Sequence, residues 1–154
     1  MDPVVQNVVR FFEGDDVPYQ LDEEDGRVSC SIAGRNGTLD IYVECKAGPS
    51  LFKVFVYAPV PVPEGRRCAV AEFCNRMNWA MGPGTLEMSP DDGRVRYRCS
   101  TWTDGSPLST DALAYLIRGS YGTLQGLLPA VLAVSWGSID PADAVRMAME
   151  EDAA

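Results

Sequence analysis

The residue types that most often carry out chemistry in proteins are scarce in this chain. The sequence contains no histidine, and histidine is the commonest general base near neutral pH and a frequent zinc ligand. A histidine-dependent catalytic triad is therefore excluded. A carboxylate or a lysine would have to act as the base instead, and no pair of acidic residues stands out by its spacing. We therefore predict no catalytic residue and no enzymatic activity.

The cysteines are the next residues that could react or bind a metal. There are five of them, an odd number, and no two form a C-x-x-C pair: Cys30, Cys45, Cys68, Cys74 and Cys99. This spacing supports neither a secreted disulfide framework nor a thiolate metal site. Cys30, Cys45 and Cys99 fall on strand positions that we expect to face inward, and Cys74 falls on the apolar face of a predicted helix. We predict buried thiols, no metal and no cofactor.

Two clusters of charged residues, one acidic and one basic, follow each other between residues 91 and 98. Asp91-Asp92-Gly93 could be an acidic or metal-binding site, but these residue types are typical of a hairpin turn, which we prefer. Arg94, Arg96 and Arg98 then alternate along a strand, so they share one face. They could bind an acidic partner or an anion, or they could be a solvated face on which Glu87 pairs with Arg96 across the hairpin.

Length and charge narrow the class of protein. The 154 residues suggest one domain spanning 1–154. The net charge of −9 opposes binding to nucleic acid or to an anionic membrane, since both are polyanions. The N-terminus lacks the pattern of a signal peptide, and the longest nearly uncharged stretch contains too many Gly, Ser and Thr residues for a membrane span. We predict a soluble cytoplasmic protein.

The elements that position these residues follow from the apolar pattern. Asp2 can cap a first helix, Pro3 suits its first position, and the helical spacing of apolar residues continues to Gly14. The period then changes to two, which indicates strands. Turn residues separate successive strands at three places: Glu23–Gly26, Asn36-Gly37 and Ala47–Ser50.

These turns predict the strand registers. A two-residue turn at Asn36-Gly37, with positive φ at both positions, would place Ile32 opposite Ile41. Cys30 and Cys45 would then be diagonal neighbours, which leaves a redox role open. The four-residue turn at Ala47–Ser50 places Val54 opposite Val43. The result is a four-stranded antiparallel meander with one apolar face.

The same registers place three aromatic side chains on the opposite face of the meander: Tyr42, Phe55 and Tyr57. An aromatic cluster on a face that should be exposed to solvent indicates one of two arrangements. Either a helix of the same chain covers it, or it is a contact surface for a second copy or another protein.

The second half of the chain adds helices and one more hairpin. A helix is predicted between Arg66 and Met81, with Gly82 ending it, and a hairpin runs from Leu86 to Trp102. A long helix begins at Ser109 or Thr110, and Pro129 should kink or divide it. Asp140 starts a short last helix. The predicted fold class is α+β, an antiparallel meander sheet with helices in the order α-ββββ-α-ββ-α(α).

The chain resembles the YbjN family of bacterial domains, which are related in fold to type III secretion chaperones. Four segments carry the resemblance: Phe73–Asn78 with Gly82, Asp92–Arg98, Leu127–Val131 and Asp140–Ala144. The resemblance implies a compact α+β domain without established catalytic activity, described as a regulator or a chaperone-like binder.

The sequence as a whole predicts a non-enzymatic domain that binds a protein partner, including a second copy of itself, through an apolar surface. The candidate contact residues are Tyr42, Phe55, Tyr57, Arg94, Arg96 and Arg98. One alternative is a small-molecule-binding or enzymatic domain with a pocket between the sheet and the C-terminal helices. Another is a purely structural subunit of an assembly.

Overall fold

The computed structural model describes the backbone of residues 1–153 and the side chains of residues 1–150. The helices are α1 (Pro3–Gly14), α2 (Arg67–Ala80), α3 (Thr110–Trp136) and α4 (Pro141–Ala153). The strands are β1 (Gln20–Asp22), β2 (Arg27–Ala33), β3 (Thr38–Glu44), β4 (Ser50–Tyr57), β5 (Thr85–Met88) and β6 (Val95–Thr103). This order confirms the predicted α+β class and the predicted sequence of elements.

All six strands form one antiparallel sheet in the order β1-β2-β3-β4-β6-β5. The first four strands are the predicted meander. The second hairpin extends it, because β6 pairs with β4 along its whole length, with Val54 opposite Cys99 and Tyr57 opposite Arg96. The turn signals in the sequence do not predict this pairing, since no short connection joins β4 to β6.

One face of the sheet is packed against helices. Helix α3 lies against β3, β4 and β6, α1 contacts β2, and α2 contacts β5. The inward side chains Ile41, Val43 and Val54 are fully buried, as are Leu124 and Leu128 of α3. Burying each such side chain contributes about 1.5–3 kcal/mol relative to leaving it in water. The opposite face, which we call the outer face, carries the side chains that alternate with these.

The predicted register of the first hairpin is wrong by two residues. Ile32 lies opposite Leu39, and Cys30 lies opposite Ile41, so the loop contains the four residues 34–37. Asn36 does not have a positive φ, which a two-residue turn of the predicted type would need. A shift of two residues keeps every side chain on its face, so the predicted inward positions are nevertheless correct.

The cause is a contact with α3 that the local sequence does not reveal. The Asn36 backbone N–H donates to Gln125 Oε1 at 3.1 Å, and Asn36 Nδ2 donates to the Gln125 carbonyl at 2.8 Å. Gln125 Nε2 in turn donates to the Gly37 carbonyl at 2.8 Å. Three hydrogen bonds to a helix outweigh the local preference for a tight turn, and the loop stays open.

The other local predictions agree with the structure. Val43 lies opposite Val54, and Leu86 lies opposite Tyr97. The Asp2 carboxylate accepts from the Val4 N–H at 2.8 Å and caps α1. Of the two effects predicted for Pro129, a kink or a division of the helix, the division does not occur, because α3 runs from Thr110 to Trp136 without interruption.

Candidate binding face

The outer face brings together all six predicted contact residues. Tyr42 lies on β3, and Phe55 and Tyr57 lie on β4. Arg96 and Arg98 lie on β6 directly opposite Tyr57 and Phe55, with Arg94 immediately before β6. The sequence predicts an aromatic cluster and an arginine row as separate features. The pairing of β4 with β6 joins them into one surface.

The aromatic side chains contact each other across neighbouring strands. Tyr42 lies opposite Phe55, and the rings of Tyr42 and Tyr57 are perpendicular, with their centroids 5.6 Å apart. Edge-to-face pairs of this kind contribute about 0.5–1.5 kcal/mol beyond their burial. This contact therefore stabilises the two tyrosine rings against each other on the sheet.

Arg96 covers the centre of this cluster. Its Cζ lies 4.5 Å from the centroid of the Phe55 ring, and its Nη1 donates to the Tyr57 hydroxyl at 3.0 Å. Phe55 is only 8% exposed. A guanidinium from the neighbouring strand covers this ring, where the sequence suggested a helix or a partner.

The arginines are partly neutralised by two acidic residues. Glu87 accepts from Arg98 Nε at 2.7 Å and lies 3.5 Å from Arg96 Nε. Arg94 Nε donates to Asp92 at 3.0 Å. The predicted pair between Glu87 and Arg96 is present, but the hydrogen bond to Arg98 is shorter. Such partly exposed ion pairs contribute little to stability, typically 0–1 kcal/mol.

Two guanidinium groups lie beside the ring of Tyr57. The guanidinium groups of Arg94 and Arg96 lie 5.3 Å and 5.9 Å from the centre of the same ring. Burial disfavours the charge on Arg96, but its hydrogen bond to Tyr57 and the nearby Glu87 more than offset this and raise its pKa. The three arginines are balanced by three carboxylates, because Asp40 lies opposite Tyr57 on the same face in addition to Glu87 and Asp92.

Two shallow depressions flank the aromatic pair. One, of about 360 Å³, lies beside Tyr57 and is lined by Ser89, Pro90 and Arg94 among others. The other, of about 420 Å³, lies beside Tyr42, where the Ser31 hydroxyl is hydrogen-bonded to Asp40. The face therefore has an aromatic centre with polar hollows on both sides.

The sequence reasoning missed one apolar pair on this face. Leu51 and Trp102 lie opposite each other near the far end of β4 and β6 and are 49% and 64% exposed. The strand alternation could have identified them, because Leu51 shares the parity of Phe55 and Trp102 that of Arg98. They extend the apolar area along the same two strands.

A second missed residue is Asn78 of α2, which lies within one of the segments that carry the family resemblance. Its Nδ2 donates to the Leu86 carbonyl at 2.9 Å, and its Oδ1 accepts from the Leu86 N–H at 2.8 Å. The backbone N–H and carbonyl of Leu86 point away from β6, and both are therefore paired with Asn78. Asn78 closes this part of the β5 edge, which would otherwise be available to another strand.

The cysteines are located as predicted, apart from one relationship. All five thiols are free, four are buried, and Cys68 is exposed. Burial raises the pKa of Cys30 to about 11 and that of Cys45 and Cys74 to about 12. Cys30 and Cys45 are not diagonal neighbours, because the corrected register places Cys30 opposite Ile41.

The acidic pair at Asp91 and Asp92 belongs to the β5–β6 turn, as predicted. The Gly93 N–H donates to the Ser89 carbonyl at 2.8 Å, and Gly93 has a φ of 77°, which favours glycine. Among the side chains of residues 1–150, no group of three or more cysteine or acidic residues is arranged to hold a metal ion. None of the described helices is long and apolar enough to cross a membrane.

Comparisons with known proteins agree with this fold. The sequence model of the YbjN family, described as "Putative bacterial sensory transduction regulator", matches residues 5–132. The crystal structure of YbjN, "a putative transcription regulator from E. coli", superposes with a TM-score of 0.55 at 10% sequence identity. The alignment covers 81% of this chain and 88% of that chain. No curated protein matches the sequence.

Proposed function

The chain belongs to the YbjN family, and we propose that it is a non-enzymatic regulatory domain that binds a protein partner on the outer face of its sheet. The observation that carries the proposal is the position of Arg96 over Phe55 and against Tyr57. It joins the aromatic and basic residues into one prearranged surface.

The residue types on this face suit a protein partner. Tyrosine and arginine are enriched among the residues that dominate binding energy at protein interfaces. Each presents a large contact area with a polar end, so Tyr42, Tyr57 and Arg96 can bury apolar surface while keeping their hydrogen bonds. The exposed pair Leu51 and Trp102 continues the contact area along the same strands.

The pair of arginines beside Tyr57 favours an acidic side chain in the partner at that point of the face. Arg94 and Arg96 lie close together around Tyr57, and guanidinium groups bind carboxylates through paired hydrogen bonds. An acidic side chain in the depression beside Tyr57 would offset the repulsion between them. Such charges mainly set the association rate and the orientation of the partner.

The proposal includes the absence of catalysis and a cytoplasmic location. The first depends on the lack of histidine and of an acidic pair suited to proton transfer. A second copy of the chain is the other candidate for the same face, because a self-complementary patch would give a homodimer.

Affinity capture from a lysate of the source organism tests this function. Three forms of the protein would be immobilised: wild type, a Tyr57→Ala/Arg96→Ala variant, and an Arg76→Ala control. Arg76 also forms an exposed ion pair, with Glu72, but lies on α2. The proposal expects one protein to be retained by wild type and control and lost from the double variant. Identical retention by all three forms would refute it.

A further inference from the structure

One edge of the sheet is open along the second half of β2. Alternate residues of an antiparallel strand direct their backbone N–H and C=O groups to opposite sides. The glycines that flank β2, Gly26 and Gly34, are hydrogen-bonded to the residues that flank β3, at 2.9 and 3.0 Å. The even-numbered residues of β2 therefore face β3, and the odd-numbered ones face β1. Because β1 pairs with residues 27–29 only, the backbone groups of Ser31 and Ala33 point away from β3 without a strand beside them.

Pro18 explains why β1 does not cover this edge. Continuing the register of β1 with β2 would place Pro18 opposite Ser31, and proline has no N–H to donate to the Ser31 carbonyl. The residue before it is bound to α1 instead, since the Val17 N–H donates to the Phe12 carbonyl at 3.0 Å. Ser31 and Ala33 are both exposed, and among the described residues their outward groups have no backbone partner.

The opposite edge of the sheet is treated differently. There the side chain of Asn78 pairs with both outward backbone groups of Leu86. Unpaired donors and acceptors on an open edge can pair with another extended chain, which then becomes a further strand. The open part of β2 is therefore suited to strand addition.

A hollow beside this edge selects the side chain that such a segment would carry. It measures about 420 Å³, and Tyr19, Tyr42 and Asp40 are among the residues that line it. Asp40 is the one charged residue in its described lining. The Ser31 hydroxyl donates to Asp40, which places the carboxylate on the β2 side of the outer face.

A residue paired with Ser31 would have its side chain on the same face as Ser31, and so in this hollow. A lysine or arginine there would meet the Asp40 carboxylate and the rings of Tyr19 and Tyr42. Charge-assisted hydrogen bonds and cation–π contacts both favour such a cation.

We propose that the protein partner of the outer face supplies an extended segment with a basic side chain, which adds to β2 opposite Ser31 and Ala33. The inference rests on the proposed function, because it names the part of that partner that lies at the β2 end of the face. Each of the two residues offers one donor and one acceptor, so the edge provides about four hydrogen bonds at most. This suits a short segment of a partner that is also held elsewhere on the face, rather than a second copy held by the edge alone.

Strand addition is tested by NMR with a capped peptide of sequence Thr-Val-Lys-Val-Thr. In the free protein the amide hydrogens of Ser31 and Ala33 should exchange rapidly with solvent at every protein concentration. The peptide should shift both amide signals saturably and slow their exchange. No saturable shift would overturn the proposal. Protection that increases with protein concentration alone would overturn it too, because a second copy would then occupy the edge.

Three altered peptides identify the mode of binding. Glutamate in place of the lysine should weaken binding, because it would face Asp40. With the lysine side chain in the hollow, the lysine N–H faces β2 and the N–H of the following valine faces away. N-methylation of the lysine should therefore abolish binding, whereas N-methylation of that valine should not. Equal binding of the two methylated peptides would overturn strand addition.

Two variants at one position test the same edge from the protein side. Ala33→Pro removes an N–H that β3 does not use, so the fold should persist, as circular dichroism would verify. It should weaken peptide binding roughly tenfold, the loss expected for one hydrogen bond, while Ala33→Val retains the N–H and should bind normally. Equal binding by the two variants would contradict the proposal. If Ala33→Pro does not fold, the methylated peptides decide the question on the wild-type protein.

The lysate capture separates this inference from the proposed function. A folded Ala33→Pro variant that retains the partner of the outer face as well as Ala33→Val does would overturn strand addition and leave the proposed function in place. Failure of the proposed function has a different signature, equal retention by the wild type and by Tyr57→Ala/Arg96→Ala.

Discussion

The side chain of Asn36 supplies the hydrogen bond that Pro129 removes from helix α3. Proline has no backbone N–H, so the carbonyl four residues earlier, that of Gln125, loses its helical donor. Asn36 Nδ2 donates to this carbonyl at 2.8 Å. This contact pairs the carbonyl that Pro129 leaves without a donor in α3, and together with the two other hydrogen bonds to Gln125 it holds the loop of the first hairpin open.

This relationship predicts coupling between the two residues. Asn36→Ala should lower the free energy of unfolding by about 1–3 kcal/mol, because it leaves a buried carbonyl unpaired. In a Pro129→Ala background the new N–H serves the same carbonyl, so the loss should be clearly smaller. Urea unfolding of the four forms measures the coupling, with Asn75→Ala on the exposed side of α2 as control. Strictly additive effects would show that the two residues act independently.

The closed edge of β5 gives a second prediction. Asn78→Ala removes the partners of both Leu86 backbone groups, and each unpaired buried group costs about 1–3 kcal/mol. The midpoint of urea unfolding should fall clearly below that of Asn75→Ala. The freed edge should also promote association through strand pairing, which light scattering would detect. A variant as stable and as monodisperse as the control would mean that Asn78 is dispensable.

The thiols give a third prediction. At pH 8 the native protein should contain one rapidly reacting cysteine, Cys68, because it alone is exposed. Cys30, Cys45 and Cys74 should react only on unfolding, since burial raises their pKa values to about 11–12 and keeps the thiols protonated. Labelling followed by peptide mass spectrometry identifies the modified residue. Rapid labelling of Cys30 or Cys45 would contradict the structure of the first hairpin.

The outer face gives a fourth prediction. Phe55→Glu should leave the fold intact, because the new carboxylate would lie beside Arg96 and opposite Arg98 and no inward-facing residue changes. Circular dichroism checks the fold, and light scattering checks the mass. If the wild type is dimeric through this face, the variant should be monomeric. A variant that simply unfolds would show that Phe55 belongs to the structural core.

The sequence correctly predicts the strand registers that are set by short turns. The turns at 47–50 and 90–93 set the β3–β4 and β5–β6 registers correctly, since each turn leaves little choice of pairing. The predicted register of the first hairpin is wrong because it is set by a long-range contact. Its register depends on Gln125, about ninety residues away, and no local pattern reports that contact.

For the candidate site, too, the local features could be predicted from the sequence and the long-range ones could not. Alternation along each strand correctly places Tyr42, Phe55 and Tyr57 on one face and the arginines on one face of their strand. It does not show that these are the same face of one sheet, because this follows from the pairing of β4 with β6. The cover of Phe55 by Arg96 could not be predicted for the same reason.

The most direct test of the account is photo-crosslinking from the outer face. A benzophenone amino acid would replace Tyr42 in one form of the protein and Trp79 in another. Trp79 is 94% exposed on α2, so it controls for random collisions. Irradiation in cells of the source organism should give a discrete protein adduct from position 42, lost when Arg96→Glu is added, and none from position 79. An adduct from position 79 alone, or an adduct from position 42 that persists with Arg96→Glu, would contradict the proposed binding face.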